Sequence, residues 1–271
     1  STITLAYALR EIIRNSETTV FGHEPVQESL NLKNEIKQFS IDPLEEYIEK
    51  VNDLESNMFC GDVGRYLQSF SWYQLSLKRT LNIASITKRY NSEVKYHPKN
   101  QKYSNRQKQI VEVYKQFVPY GELDFQNLLI HSYLLLERTI ALSRRFLTLE
   151  ELPSFTSFSK HKNFFKKSST KNLSDNDYGK YISNKTDWFE IPLKVLRDKY
   201  LMHSAEKHLL YHGWSPDANC DLTMTVILLN LSSSQEEHLK NVKVIQFSPR
   251  RLARDINEFL IRFSSFALQT I

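Results

Sequence analysis

The chain has only two cysteines in 271 residues, Cys60 and Cys220, with no CxxC partner and no His-rich spacing beside either. A disulfide framework and a zinc site are therefore not expected, and a reducing, cytoplasmic setting is. Glycine and proline are also scarce, six and eight residues. That is too few for an all-β fold with many tight turns. Gly61-Asp62-Val63-Gly64 is too sparse for a phosphate loop, and no GxSxG or Walker pattern occurs. No apolar run approaches the roughly 20 residues that span a bilayer, so no membrane segment is expected. Residues 1–14 read as an amphipathic helix rather than a signal peptide, because Arg10, Glu11 and Arg14 interrupt the apolar pattern. The net charge of +5 is mild; it permits nucleic-acid binding without requiring it.

What is present favours helices. Apolar residues at 41% and charged residues at 25% describe an ordinary globular chain with material for a sizeable core. Leu5, Leu9, Ile12 and Ile13 recur at helical spacing. Asp42-Pro43 opens a helix, with an N-cap Asp, Pro in the first turn and Glu45 and Glu46 at the positive dipole end. Its stripe is Leu44, Tyr47, Ile48, Val51 and Leu54. A third helix carries Tyr66, Leu67, Phe70, Tyr73, Leu77, Leu81 and Ala84. After a polar break at 91–105, a fourth carries Ile110, Val113, Tyr114 and Phe117 and stops at Pro119-Tyr120-Gly121. Residues 123–149 read as the longest and most regular helix, with Phe125, Leu128, Leu129, Leu135, Leu136, Ile140 and Phe146 on one face.

Residues 153–187 read as a long polar connection without clear periodicity. Its basic run at 160–167 has Phe164 and Phe165 between lysines. Such a run can grip an RNA backbone through Lys162, Lys166 and Lys167 while an aromatic stacks on a base. The plainer reading tucks those rings onto the core. A helix is expected from about Ile191, with Pro192 near its first turn and Leu193, Leu196 and Tyr200 as its stripe. Past Gly213-Trp214-Ser215-Pro216 the period turns extended. The β-branched runs at 223–229 and 242–247 imply a small β-hairpin near 222–247. Ser248-Pro249 caps a last helix striped by Leu252, Ile256, Phe259, Leu260, Phe263 and Phe266. Arg250, Arg251 and Arg254 in its first turns mark either a phosphate contact or ion pairing with Asp255 or Glu258.

The stretch Arg197-Asp198-Lys199-Tyr200-Leu201-Met202-His203 carries the candidate chemistry. Arginine keeps its charge and presents a planar fork to phosphate oxygens. Histidine exchanges a proton near neutral pH. RNA supplies its own nucleophile, the 2′-hydroxyl, so Arg197 and His203 can cover the remaining needs, with Asp198 supporting. On an α-helix six residues span about 9 Å of rise and about 240° of turn, so the pair does not share a face. A helix end near His203, or two copies of the motif meeting across a dimer cleft, removes the difficulty. The competing reading makes His203 a core histidine continuing the stripe and Arg197 a partner of Glu190. His208 and His212 stand four apart, as two ligands on one helical face would, but no HExxH pattern or third ligand accompanies them, so no metal is expected.

The helix containing Leu135-Leu136-Glu137-Arg138, the later LKVLRDKYLMHS (193–204) and the final apolar helix resemble the HEPN superfamily, whose motif is Arg, four to six residues, then His, commonly with a polar residue directly after the Arg. The resemblance covers about residues 122–271. It implies a helical-bundle domain at 121–271 with a helical region at 1–120 before it, a homodimer with both motifs at its cleft, and no cofactor. Many members resemble metal-independent endoribonucleases of toxin–antitoxin, phage-defence or RNA-processing systems. On that likeness Arg197 and His203 are catalytic and Asp198 supports them. The likeness also implies RNA as the substrate, with Lys199 joining the lysines above, and an antitoxin or other protein as a partner. Members silenced by a nucleotidyltransferase partner often carry Tyr two positions after the His; Ala205 stands there, so that regulation is not implied. The rival readings are a non-catalytic helical module that binds protein or RNA and, behind it, a nucleotide-binding sensor.

Overall fold

The computed structural model describes residues 34, 36–52, 61–143, 157–166, 177–194, 197, 209–216, 222–228 and 243–270. The chain is mainly helical. In order come α1 (Glu45–Asn52), α2 (Asp62–Glu93), α3 (Asn105–Phe117), α4 (Gly121–Leu142), α5 (Phe158–Lys166) and α6 (Asp177–Asn184). A π-helical turn at Phe189–Lys194 follows, then β1 (Leu209–Pro216), β2 (Leu222–Leu228), β3 (Lys243–Phe247) and α7 (Pro249–Thr270). The chain divides into two compact units. One comprises Ser1–Leu75, Ile130–Lys194 and Ala253–Ile271; the other comprises Ser76–Leu129 and Val195–Leu252. The units alternate along the sequence, and residue 121 lies inside the second. Helices α2 and α4 each contribute one half to each unit, which is why no single cut between helices separates them.

In the first unit, Asp42 organises the start of α1. Its Oδ1 accepts from the Leu44 amide at 2.9 Å and from the Tyr66 hydroxyl at 2.6 Å, so one carboxylate caps a helix and ties it to α2. Leu44, Tyr47 and Ile48 are fully buried, as their spacing requires. Val51 and Leu54, like the 1–14 helix, fall outside the side chains described. The α2 stripe of Tyr66, Leu67, Phe70 and Tyr73 is buried, and Gln74 donates to the Ser40 carbonyl at 2.7 Å. Leu135, Leu136 and Ile140 of α4 and Ile256, Phe259, Leu260 and Phe263 of α7 complete an apolar interior. The start of α7 belongs to the second unit, where Ser248 accepts from the Arg251 amide at 3.3 Å.

In the second unit, Leu77, Leu81, Ile83 and Ile86 of the later part of α2 and Phe125, Leu128 and Leu129 of α4 are all buried. Arg79 holds the buried Asp124 carboxylate at 2.6 Å, and the Thr80 hydroxyl donates to the Asp124 carbonyl at 3.2 Å. The expected stop at Pro119-Tyr120-Gly121 is one 3-10 turn, Val118–Tyr120, after which Gly121 begins α4 at once. A Cβ at Gly121 would sit 3.3 Å from Ile83 Cγ2, so the helices approach closely there. The strands form one antiparallel sheet in the order β1-β2-β3, with Trp214 opposite Met224 and Val226 opposite Ile245.

Three sequence expectations are corrected. The longest described helix is α2, 32 residues against 22 for α4. Its length is masked in the sequence because Ser69, Ser71, Gln74, Ser76, Lys78 and Thr80 are buried beside its apolar stripe, blurring the period. The stretch 153–187 is not one long loop, since α5 and α6 lie inside it. Extended structure begins at Leu209 rather than past the Gly-Trp-Ser-Pro segment.

Helix α3 contains no buried residue; Ile110, Val113, Tyr114 and Phe117 are half-buried. It is held instead by a Tyr90–Tyr114 stack, 3.8 Å between centroids and 13° between planes, and by a capping box at its start. Ser104 accepts from the Gln107 amide while Gln107 accepts from the Ser104 amide. Because packing contributes little here, the box carries an unusual share of the helix. Ser104→Ala is expected to cost about 1 kcal/mol, read as a shift in the urea midpoint, with Ser104→Asn largely restoring it.

Candidate functional site

The segment that leads into the motif begins at Thr186, whose carbonyl accepts from the Phe189 amide at 3.1 Å. Pro192 therefore lies in the second turn, not the first as the sequence suggested. A proline inside a helix has no N–H to donate and its ring crowds the carbonyl four residues back. Here the backbone widens to a π-helical turn over Phe189–Lys194, a geometry that recurs at functional sites.

Aromatic packing fixes this turn. Phe189 and Leu193 are fully buried. Phe189 stacks on Phe158 at 4.0 Å and 23°, and on Tyr133 at 5.4 Å and 25°. Phe158 in turn meets Phe259 at 5.4 Å. Tyr133 of α4 and Phe158 of α5 thus bracket Phe189, with Phe259 of α7 behind Phe158, and Lys194 reaches the Ser159 hydroxyl at 3.5 Å. Arg197, three residues on, is half-buried with π-helical backbone. Asp198, Lys199 and His203 lie outside the described residues, as do Lys167, His208 and Phe146.

The basic run is placed differently from its expected role. In α5, Lys162 is buried, and its ammonium donates to Asp187 at 2.7 Å, an exposed carboxylate that this bond pulls below the usual range. Phe164 and Phe165 are buried as well. Lys162 and the two rings are therefore not an RNA-gripping surface. The helical spacing that turns Phe158, His161, Lys162 and Phe165 inward leaves Lys160 and Lys166 exposed.

Beside them lies a pair that the sequence reading missed. His161 Nε2 and the Tyr178 hydroxyl are 2.8 Å apart, fully enclosed among Phe165, Phe263 and Phe266. Burial drives the His161 imidazole down to about 3 and the Tyr178 phenol well above its ordinary value. Both are neutral at physiological pH, so this histidine is a structural group rather than a proton shuttle. The signal was available: His161 stands three residues after Phe158 and four before Phe165, on an apolar helical face. His131, half-buried against Trp72 at 5.4 Å, is also pulled down by burial.

Other candidates resolve plainly. His212 is on β1, opposite Val226, so it does not share a helical face with His208. Among the described residues no three His, Cys, Asp or Glu gather as a metal would require. Glu258 pairs with Arg262 at 3.0 Å rather than with the arginines of the first turns of α7. No described helix is long and apolar enough to cross a membrane. Compared with protein-family models, curated proteins and solved structures, the chain matches none.

Proposed function

We propose that the chain is a metal-independent endoribonuclease of HEPN type, with Arg197 holding the scissile phosphate, His203 moving the proton and Asp198 supporting them. The observation that carries this reading is the Arg197–His203 spacing in a mainly helical chain. Arg197 follows a π-helical turn clamped by buried aromatics and is itself partly exposed, which suits a cation that must be both positioned and reachable. The 2′-hydroxyl attacks the adjacent phosphorus, the leaving 5′-oxygen departs protonated, and a 2′,3′-cyclic phosphate remains. A second copy of the chain supplies the facing motif, and defence or RNA processing is the setting. An antitoxin or other protein partner belongs to the same proposal.

Single-stranded RNA incubated with purified protein in EDTA is the test. Cleavage is expected from the wild type, with a rate at least about 100-fold lower for His203→Ala and Arg197→Ala proteins that keep the wild-type melting midpoint. Equal cleavage by the variants would move the activity elsewhere. No cleavage by any of them would favour a non-catalytic binding module.

A further inference from the structure

The positive charge of this protein is concentrated in one place. Residues 88–108 contain seven Lys or Arg and a single acid, Glu93, a larger surplus than the +5 of the whole chain. The rest of the chain is therefore slightly acidic in sum. Glu93 is already engaged, by Arg106 at 2.7 Å. Lys95, Lys99, Lys102 and Lys108 are exposed and meet no carboxylate among the described residues.

Exposed rings lie among these cations. Tyr96 is 79% exposed and Tyr103 43%. The Lys95 ammonium stands 5.6 Å from the Tyr96 ring centre, which puts a cation and an aromatic face side by side. A solvated lysine loop has no need of such rings.

The connection between α2 and α3 is also built rather than slack. The Val94 and Lys95 amides donate to the Tyr90 carbonyl at 3.0 and 2.9 Å, and the Gln101 amide donates to Pro98 at 3.0 Å. Gln107 donates to the Glu93 carbonyl at 2.8 Å and lies 3.1 Å from His97 Nδ1. His97 packs on Tyr103 at 5.0 Å. The lysines and tyrosines thus project from a hydrogen-bonded frame, which lowers the ordering cost of binding.

We infer that residues 94–108 form a binding site for single-stranded nucleic acid, in which Lys95, Lys99, Lys102 and Lys108 follow the phosphodiester chain and Tyr96 and Tyr103 stack on bases. Aromatic faces alternating with cations are the arrangement that unpaired strands reward, because every base has a face to stack and every linkage a charge. An acidic peptide would use the lysines but not the rings, and a duplex keeps its bases covered. The site does not depend on the Arg197–His203 reading.

The test is fluorescence anisotropy with a labelled 12-nucleotide oligo(U) and its oligo(dT) counterpart. The deoxy strand has no 2′-hydroxyl for self-cleavage, so it reports binding whether or not the chain cuts RNA. Binding of the wild type is expected to weaken with salt. Lys99→Glu/Lys102→Glu should weaken it about tenfold or more and flatten the salt slope. Tyr96→Ala should weaken it about tenfold, and Tyr96→Phe, which keeps the ring, should restore it. Retention of both strands would place recognition on backbone and base alone; retention of RNA only would add the 2′-hydroxyl. Failure of the wild type to bind either strand in low salt would overturn the proposal. So would an equal loss from the exposed Lys180→Glu, or indifference to Tyr96→Ala, which would mark a generic polyanion surface.

Discussion

Phe158→Ala is expected to destabilise the first unit by about 3–5 kcal/mol, the usual cost of emptying a fully enclosed aromatic position. The ring is fully buried and meets three aromatic neighbours: Phe189 at 4.0 Å, Phe259 at 5.4 Å and Trp188 at 6.4 Å. The two nearer rings cannot close the gap, because each is held by a second contact, Phe189 by Tyr133 and Phe259 by Phe263. A stability of roughly 5–15 kcal/mol is typical, so such a loss is a large part of the total. Urea unfolding followed by circular dichroism checks it. Where the two units unfold separately, the transition of the first should move and that of the second stay. Tyr96→Ala, on an exposed ring, should change the midpoint by no more than about 0.5 kcal/mol. A Phe158→Ala loss below about 1 kcal/mol would contradict the stack.

Acid should weaken the protein well before its carboxylates are protonated. The His161 imidazole is held neutral by burial, at about 3 rather than 6.5. As pH falls through 6.5 the unfolded chain takes up a proton on this residue and the folded chain does not. The stabilisation is therefore complete above about 6.5 and is lost progressively down to about 3. Near pH 5 the loss from this one group is about 2 kcal/mol. His131, also pulled down by burial, acts in the same direction. Asp187 acts in a different window. Lys162 holds its carboxylate low, so its stabilisation is present above the ordinary carboxylate range and is lost only below it. The check is the urea midpoint at pH 7.5 and pH 5 for the wild type and His161→Leu. The substitution lowers stability at both pH values by removing the Tyr178 hydrogen bond, but the drop between them should be about 2 kcal/mol smaller than in the wild type. Equal drops would mean that His161 is not a buried neutral group.

Much of the helical architecture was legible because its signals are local. Asp42-Pro43 and Ser248-Pro249 start helices through caps that need only neighbouring residues. The stripe from Leu252 to Phe266 shows one apolar face at regular spacing, and all of its members are buried. Residues 158–166 were harder. His161 and Lys162 carry polar labels, and a count by residue type sees a basic run where the fold has an inward face. The period of helix α2 is blurred for the same reason, since buried Ser71 and Thr80 satisfy their hydroxyls on carbonyls of the preceding turn, of Leu67 and Ser76. Tyr96 and Tyr103 sat in a segment that looked like a polar break, and only their exposure distinguishes them from core tyrosines such as Tyr73.

The amino-acid sequence by itself determined the helical class, the starts of α1 and α7, the inward faces of α4 and α7, and the Arg197-to-His203 motif as the chemistry to test. Helix signals and residue types are written within a few positions of one another. The tertiary structure alone decided that Lys162 answers to Asp187, that His161 is a neutral partner of Tyr178, and that Phe158 and Phe189 brace the turn before Arg197. Those facts depend on partners 17 to 31 residues away, and on burial that sets which side chains keep their charge.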